Sequence, residues 1–260
     1  MKKIFKNLIF FLLGLFSSGL KKQASILMYH SIGDNKTFYT VKPETFARQL
    51  DYLKDKKIKV IKLSELAGKI RRKENIGGCV CLTFDDGYLD NFINAFPLLK
   101  KHNFPATIFL ATDFIGRTMT NSQGVTLPML SVEQIEEMAA GGLIEFMPHT
   151  TSHCHLKQAT PEKIAAELTA SQARVRELAD GQADILAYPW GEFDDRTVDF
   201  LKQNNWQAAV TVNEGLVDEN SDLFRLERNS IDSSTNLAQF KGKTSKIIGN
   251  YAKIKKWLRV

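Results

Sequence analysis

Two aspartates stand side by side at Asp85 and Asp86, and two histidines stand four residues apart at His149 and His153. One carboxylate and two imidazoles make a donor set for a divalent cation, with positions left open for water and substrate. A second carboxylate beside them can take a proton from an attacking water. Neither pair settles the matter by itself: histidines at this spacing also cap or hydrogen-bond within loops, and Asp-Asp-Gly makes a good turn. Yet His30, His149, His153, His155 and both aspartates all fall at or just beyond the end of a short apolar run. A shared site needs that coincidence.

The apolar runs have the character of strands. Residues 25–29, 57–61, 79–84, 106–111, 143–147, 185–188, 207–212 and 224–228 are short and rich in β-branched and aromatic side chains. Between them the helical period predicts helices over 43–53, 64–72, 89–102, 132–140, 161–178 and 195–204. Thr160 supplies a capping hydroxyl before Pro161, and Ser131 with Gln134 has the spacing of a capping box. Alternating strands and helices predict a parallel sheet, and roughly eight such units would close a (β/α) barrel, with a doubly wound open sheet as the competing architecture. Both architectures carry catalytic groups at the carboxyl ends of their strands, where the histidines and aspartates stand.

With 260 residues, 43% of them hydrophobic and 25% charged, the chain suits one large α/β domain and is neither disordered nor disulfide-stapled. Its three cysteines form no framework, and Cys79 and Cys81 share one face of a strand. The net charge of +6 would suggest a nucleic-acid partner, but it is concentrated at the ends. Residues 1–22 and 241–260 contain lysines and an arginine and no acid, so the body over 23–240 is net acidic. An acidic body argues against a phosphate-backbone partner, which needs basic residues on the binding surface itself.

Taken together, the motifs resemble one family. Val80-Cys81-Leu82-Thr83-Phe84-Asp85-Asp86-Gly87 is similar to the first motif of the polysaccharide deacetylases, carbohydrate esterase family 4 with its NodB-type domain. Pro148-His149-Thr150-Thr151-Ser152-His153, followed by Leu156, is similar to the second. Ile26-Leu27-Met28-Tyr29-His30 and Ala187-Tyr188-Pro189-Trp190-Gly191 extend the resemblance from about residue 26 to 228. The resemblance implies a deformed (β/α) barrel of seven or eight parallel strands in a single domain. It also implies metal-dependent removal of N-acetyl groups from an N-acetylated sugar in a polysaccharide or envelope glycan. Asp86, His149 and His153 would hold the metal, usually zinc, with cobalt or nickel as alternatives, and Asp85 would be the general base. Tyr188, Pro189, Trp190 and Gly191 would bind substrate, with a backbone N–H of the turn as oxyanion donor. Many members supply a general acid from a late Leu-x-His motif, and no histidine follows His155 here. His30 is the expected substitute, as in the branch that deacetylates poly-N-acetylglucosamine. The arginine that often precedes the proline turn, and its aspartate partner, are also missing from their usual places. Two other readings remain at this stage: a catalytically silent glycan-binding module at the membrane, and a deacetylase of O-acetyl esters.

The chain thus divides into a signal-like or membrane-associating segment over 1–22, a catalytic domain over 23–240, and a basic amphipathic C-terminal helix over 241–260. The apolar stretch 8–16 lies behind Lys2, Lys3 and Lys6 and is shorter than a spanning helix. Ile247, Ile248, Tyr251, Ile254 and Leu258 form a helical stripe suited either to an anionic membrane surface or to packing on the domain. The expected setting is the cell envelope or the exterior, with peripheral membrane association through the ends and the cytoplasmic face of the membrane as an alternative. The partner is an N-acetylated glycan and no nucleic acid, and the oligomeric state is open. The long polar connection over 112–130 is expected to shape the substrate groove.

Overall fold

The computed structural model describes residues 20, 22–179 and 181–249. Strands and helices alternate in chain order. β1 (Ser25–Tyr29) precedes α1 (Pro43–Asp55), β2 (Lys59–Val60) precedes α2 (Leu63–Arg71), and β3 (Cys79–Phe84) precedes α3 (Phe96–His102). Then come β4 (Ala106–Leu110), the hairpin strands β5 (Thr118–Thr120) and β6 (Thr126–Pro128), α4 (Val132–Ala140), β7 (Ile144–Pro148) and α5 (Pro161–Ala179). β8 (Ile185–Ala187), α6 (Asp195–Gln203), β9 (Ala208–Val210), β10 (Asn229–Ser230) and α7 (Leu237–Lys243) follow.

The main sheet runs β10-β1-β3-β4-β7 with β2 paired to β3, and β8 pairs with β9 beside it; every one of these ladders is parallel. The curved sheet is a deformed (β/α) barrel whose ladder is interrupted between β7 and β8 and again between β9 and β10. Residues 224–228, expected as a strand, bridge the second gap with the single pair Val210–Leu226. The chain there leaves the ladder as the Arg228 side chain turns into the interior, where it is fully buried.

Alternation along the strands decides what faces inward. Leu27 and Tyr29 of β1, Val80, Leu82 and Phe84 of β3, and Ile144 and Phe146 of β7 pack outward against Phe46 and Leu50 of α1 and Ile135 and Met138 of α4. Ile26, Cys79, Cys81 and Met147 face the other way, into a second core with Ile185 and Ala187 of β8. Continuing that inner register past the strand ends brings His30, Asp85 and His149 to one mouth of the barrel.

Beyond the body, Lys243 is buried, pairs with Glu214 at 3.0 Å and donates to the Ser230 carbonyl at 2.7 Å, so α7 belongs to the domain. Ile247 and Ile248, on the stripe suited either to a membrane surface or to packing on the domain, are buried with Leu20 and Leu216, so at these two positions the stripe packs on the domain. The rest of that stripe and the segment 8–16 lie outside the described residues. Among the described residues no helix is long and apolar enough to cross a membrane.

Candidate active site

Asp85 and Asp86 leave β3 together but point to different tasks. Asp85 keeps the strand's register, its N–H donating to the Tyr29 carbonyl at 2.9 Å. Asp86 adopts a left-handed backbone, φ 73°, and swings its carboxylate towards the histidines. Gly87 follows at φ 85°, where a Cβ would meet Leu110 Cδ2 at 2.6 Å. Asp86 Oδ1 then stands 3.5 Å from His149 Nε2 and 3.4 Å from His153 Nε2.

The protonation of this trio follows from its partners. His149 Nδ1 lies 2.7 Å from the Ala187 carbonyl across the β7–β8 gap, and a carbonyl only accepts, so Nδ1 carries the proton. Burial, reinforced by His153, holds the His149 imidazole at about 4, so at neutral pH its Nε2 is a bare lone pair. Burial likewise brings His153 to about 4. A lone pair and a carboxylate oxygen therefore face each other, and Asp86 Oδ1 is buried without a hydrogen-bond partner. Their ligand atoms lie within 4.8 Å of one another, and this is the cluster suited to a cation among the described residues. Two imidazoles and a carboxylate with an orphaned oxygen fit a divalent ion, and the second interaction of His149 fixes its ring as metal ligands require.

Asp85 has a different neighbour. Arg228 Nη1 and Nη2 donate to its two oxygens at 2.6 and 2.7 Å, and both side chains are buried. Burial by itself would raise the carboxyl, but the guanidinium overcomes it and holds Asp85 at about 2. The remaining Arg228 donors reach the Thr211 carbonyl and Thr83 Oγ1. The sequence shows no arginine before the proline turn to orient the base. Asp85 nevertheless has an orienting arginine, supplied from position 228 rather than from before the proline turn. That arginine's position at the end of the strand expected over 224–228 was the signal available.

His30 follows β1 and borders the same mouth. Its ring stacks on Tyr39 at 4.9 Å, its Nδ1 is buried without a protein partner, and it stands near both Asp85 and His153. The connection over 112–130 forms the β5–β6 hairpin, and Asn121 Nδ2 donates to Tyr39 Oη at 2.7 Å. The hairpin thus leans on the residue that supports His30.

The proline turn divides in two. Tyr188, expected at the substrate, has its side chain on the outer face of β8, where it stacks on Phe193 and donates to the Phe224 carbonyl. Alternation with the inward Ala187 requires this, so the phenol does not reach the site. Pro189 is buried too. Trp190 is 45% exposed, left-handed at φ 61°, edge-on to His153 at 4.8 Å, and donates Nε1–H to the His153 carbonyl. Gly191 permits this placement, since a Cβ there would fall 2.2 Å from Val212 Cγ2. His155 stacks flat on Trp190 at 5.0 Å and pairs through Nδ1 with Glu192 at 2.9 Å, away from the ligand trio.

The profile of the polysaccharide deacetylase family matches residues 72–209. A Bacillus subtilis protein named as a polysaccharide deacetylase, YxkH, is 31% identical over 204 residues, covering 78% of this chain and 69% of its own. The chain belongs to the polysaccharide deacetylase family of enzymes. The poly-β-1,6-N-acetyl-D-glucosamine N-deacetylase of Staphylococcus epidermidis is 30% identical over 198 residues, 73% of this chain and 67% of that one. Among solved structures, the Streptococcus pyogenes deacetylase PplD superposes with a TM-score of 0.72 at 29% identity, covering 85% of this chain and 98% of that one. IcaB from Ammonifex degensii superposes at 0.74 with 25% identity, over 87% and 98% of the two chains. This deacetylase therefore shares its barrel with them over nearly their whole length.

Proposed function

We propose that this deacetylase is a divalent-metal-dependent hydrolase that removes N-acetyl groups from an N-acetylated sugar of an envelope or exported polysaccharide. The observation that carries the reading is the convergence of Asp86, His149 and His153 on one orphaned carboxylate oxygen beside a buried, ionised Asp85. The S. epidermidis relative, named for its action on poly-β-1,6-N-acetyl-D-glucosamine, supports the substrate class.

Asp86, His149 and His153 would hold the ion, and zinc suits two imidazoles and a carboxylate. When bound, such an ion supplies Lewis acidity: it brings a water's pKa from far above the reach of a carboxylate down towards about 7, and it polarises the acetamide carbonyl. Asp85 accepts the water's proton as the oxygen attacks the carbonyl carbon, and Arg228 fixes the carboxylate that does so. The C–N bond breaks as His30 gives a proton to the departing nitrogen, releasing acetate and a free amine. Gly191 N–H already donates to the Tyr188 carbonyl, so the oxyanion donor of this turn is the Trp190 N–H. The exposed Trp190 indole offers its face to the sugar.

The deciding experiment is acetate release from defined β-1,6-linked N-acetylglucosamine oligomers, with and without chelator. Turnover that stops with chelator and returns with zinc is expected. Absence of acetate from any N-acetylglucosamine polymer, oligomer or lipid-linked glycan, with zinc, cobalt or nickel supplied, overturns the proposal. An O-acetylated panel measured alongside separates amide from ester hydrolysis.

A further inference from the structure

The loop between the two ligand histidines is held from α5. Thr150 and His153 are both left-handed, φ 63° and 55°, a conformation that residues with a Cβ rarely adopt. Between them, the N–H groups of Thr151 and Ser152 each donate to Glu167 Oε2 at 2.9 Å, and both hydroxyls donate to the same carboxylate. Glu167 is buried, and Lys163 pairs with it at 2.8 Å from the solvent side. Burial alone would raise this carboxyl, but Lys163 and the loop donors hold it at about 2.

One anchoring bond would tie a loop to a helix. Here four donors from two consecutive residues meet one carboxylate, and the next residue in the chain is His153. That fixes both peptide planes leading into the second imidazole, and a loop with left-handed residues at each end would otherwise relax. We infer that Glu167 is a positioning residue for the metal site, holding the 150–153 loop so that His153 Nε2 meets Asp86 and His149. The inference rests on the metal reading above.

Glu167→Gln keeps the shape but replaces one acceptor oxygen with an amide nitrogen that cannot accept, so part of the clamp opens. Zinc affinity, read by chelator competition on folded protein, is expected to fall about 10–100-fold, and the visible spectrum of the cobalt-loaded variant to change. Ser152→Ala removes one hydroxyl donor and should weaken zinc binding in the same direction by less. It decides the question with the same two readouts if the Gln variant does not fold. Zinc affinity within about twofold of wild type with an unchanged cobalt spectrum overturns the inference and leaves Glu167 as a plain helix–loop tie. Wild-type protein that takes up no zinc overturns the metal reading itself, and this role with it.

Discussion

Arg228→Met tests the base and its orienting partner together. The substitution removes the guanidinium from a pair in which both side chains are at most 4% exposed, leaving the Asp85 carboxylate buried and uncompensated. Breaking a buried pair on one side costs about 3–5 kcal/mol. The orphaned carboxylate has one escape, taking up a proton. For an acid of ordinary pKa 3.8 that costs about 4 kcal/mol at pH 7 and about 1 kcal/mol at pH 4.5. The two figures agree at neutral pH, so protonation caps the loss there, and most of the loss should vanish on acidification. In the wild type the sign is opposite. A carboxyl held at about 2 stabilises the fold above its unfolded value, and that contribution fades only as pH falls below 3.8 towards 2. Urea unfolding of the metal-free proteins at pH 7 and pH 4.5 is the assay. The variant should be about 3–5 kcal/mol less stable at pH 7, with the gap narrowing by about 3 kcal/mol at pH 4.5. The acid limb of its residual rate profile should move upward, since Asp85 must rise from about 2 past its ordinary 3.8. A pH-independent loss, or one below about 1 kcal/mol, refutes the pair as drawn. Arg228→Lys keeps the charge but not the two-pronged geometry and should fall between.

Asp85→Asn should abolish acetate release while leaving zinc uptake intact, whereas His149→Ala should lose both; uptake and turnover measured on one preparation distinguish them. His30→Ala should lower kcat by about 10²–10⁴ with zinc affinity unchanged, and full activity would remove His30 from the proton path. The imidazoles of His149 and His153 are held at about 4 against an ordinary 6.5, so the folded protein binds fewer protons than the unfolded chain between those values. Stability of the metal-free protein should therefore decline as pH drops from 6.5 towards 4, while zinc affinity of the folded protein should hold until the imidazoles take up protons near 4; a flat melting temperature across that window contradicts the assignment.

Most of the frame was legible in the sequence for reasons that local chemistry supplies. β1 and β3 fall on the expected residues because each is a short apolar run buried on both faces, and α4 does so because Ser131 and Gln134 form the capping box that their spacing predicts. The helix expected over 89–102 is broken by a wide turn at Asn91–Ala95 before α3, where Pro97 has no N–H to give to the preceding turn. The ligand residues were legible because they sit at strand ends, and alternation from Cys79 and Cys81 carries directly to Asp85. The same rule applied to β8 would have turned the Tyr188 phenol outward. Arg228 was missed for a different reason. Its partner lies 143 positions earlier, and only the closing of the barrel brings them together.

Backbone strain gives an independent mark of the site. Eight non-glycine residues among those described have a left-handed backbone. Lys57, Lys73, Asn103 and Asn205 stand within two residues of a helix C-terminus, where that conformation closes the last turn. The other four are Asp86, Thr150, His153 and Trp190, and no helix end explains them. They are two proposed ligands, the residue after the third ligand, and the indole that covers the second histidine. Each costs on the order of 1–3 kcal/mol, and such residues persist only where the surroundings over-determine them. Here the surroundings are visible: Gly87 beside Leu110, Gly191 against Val212, the Ala187 carbonyl on His149 and Glu167 on the loop. A barrel alone needs none of these. Bringing the ligand atoms of Asp86, His149 and His153 within 4.8 Å of one another draws on them.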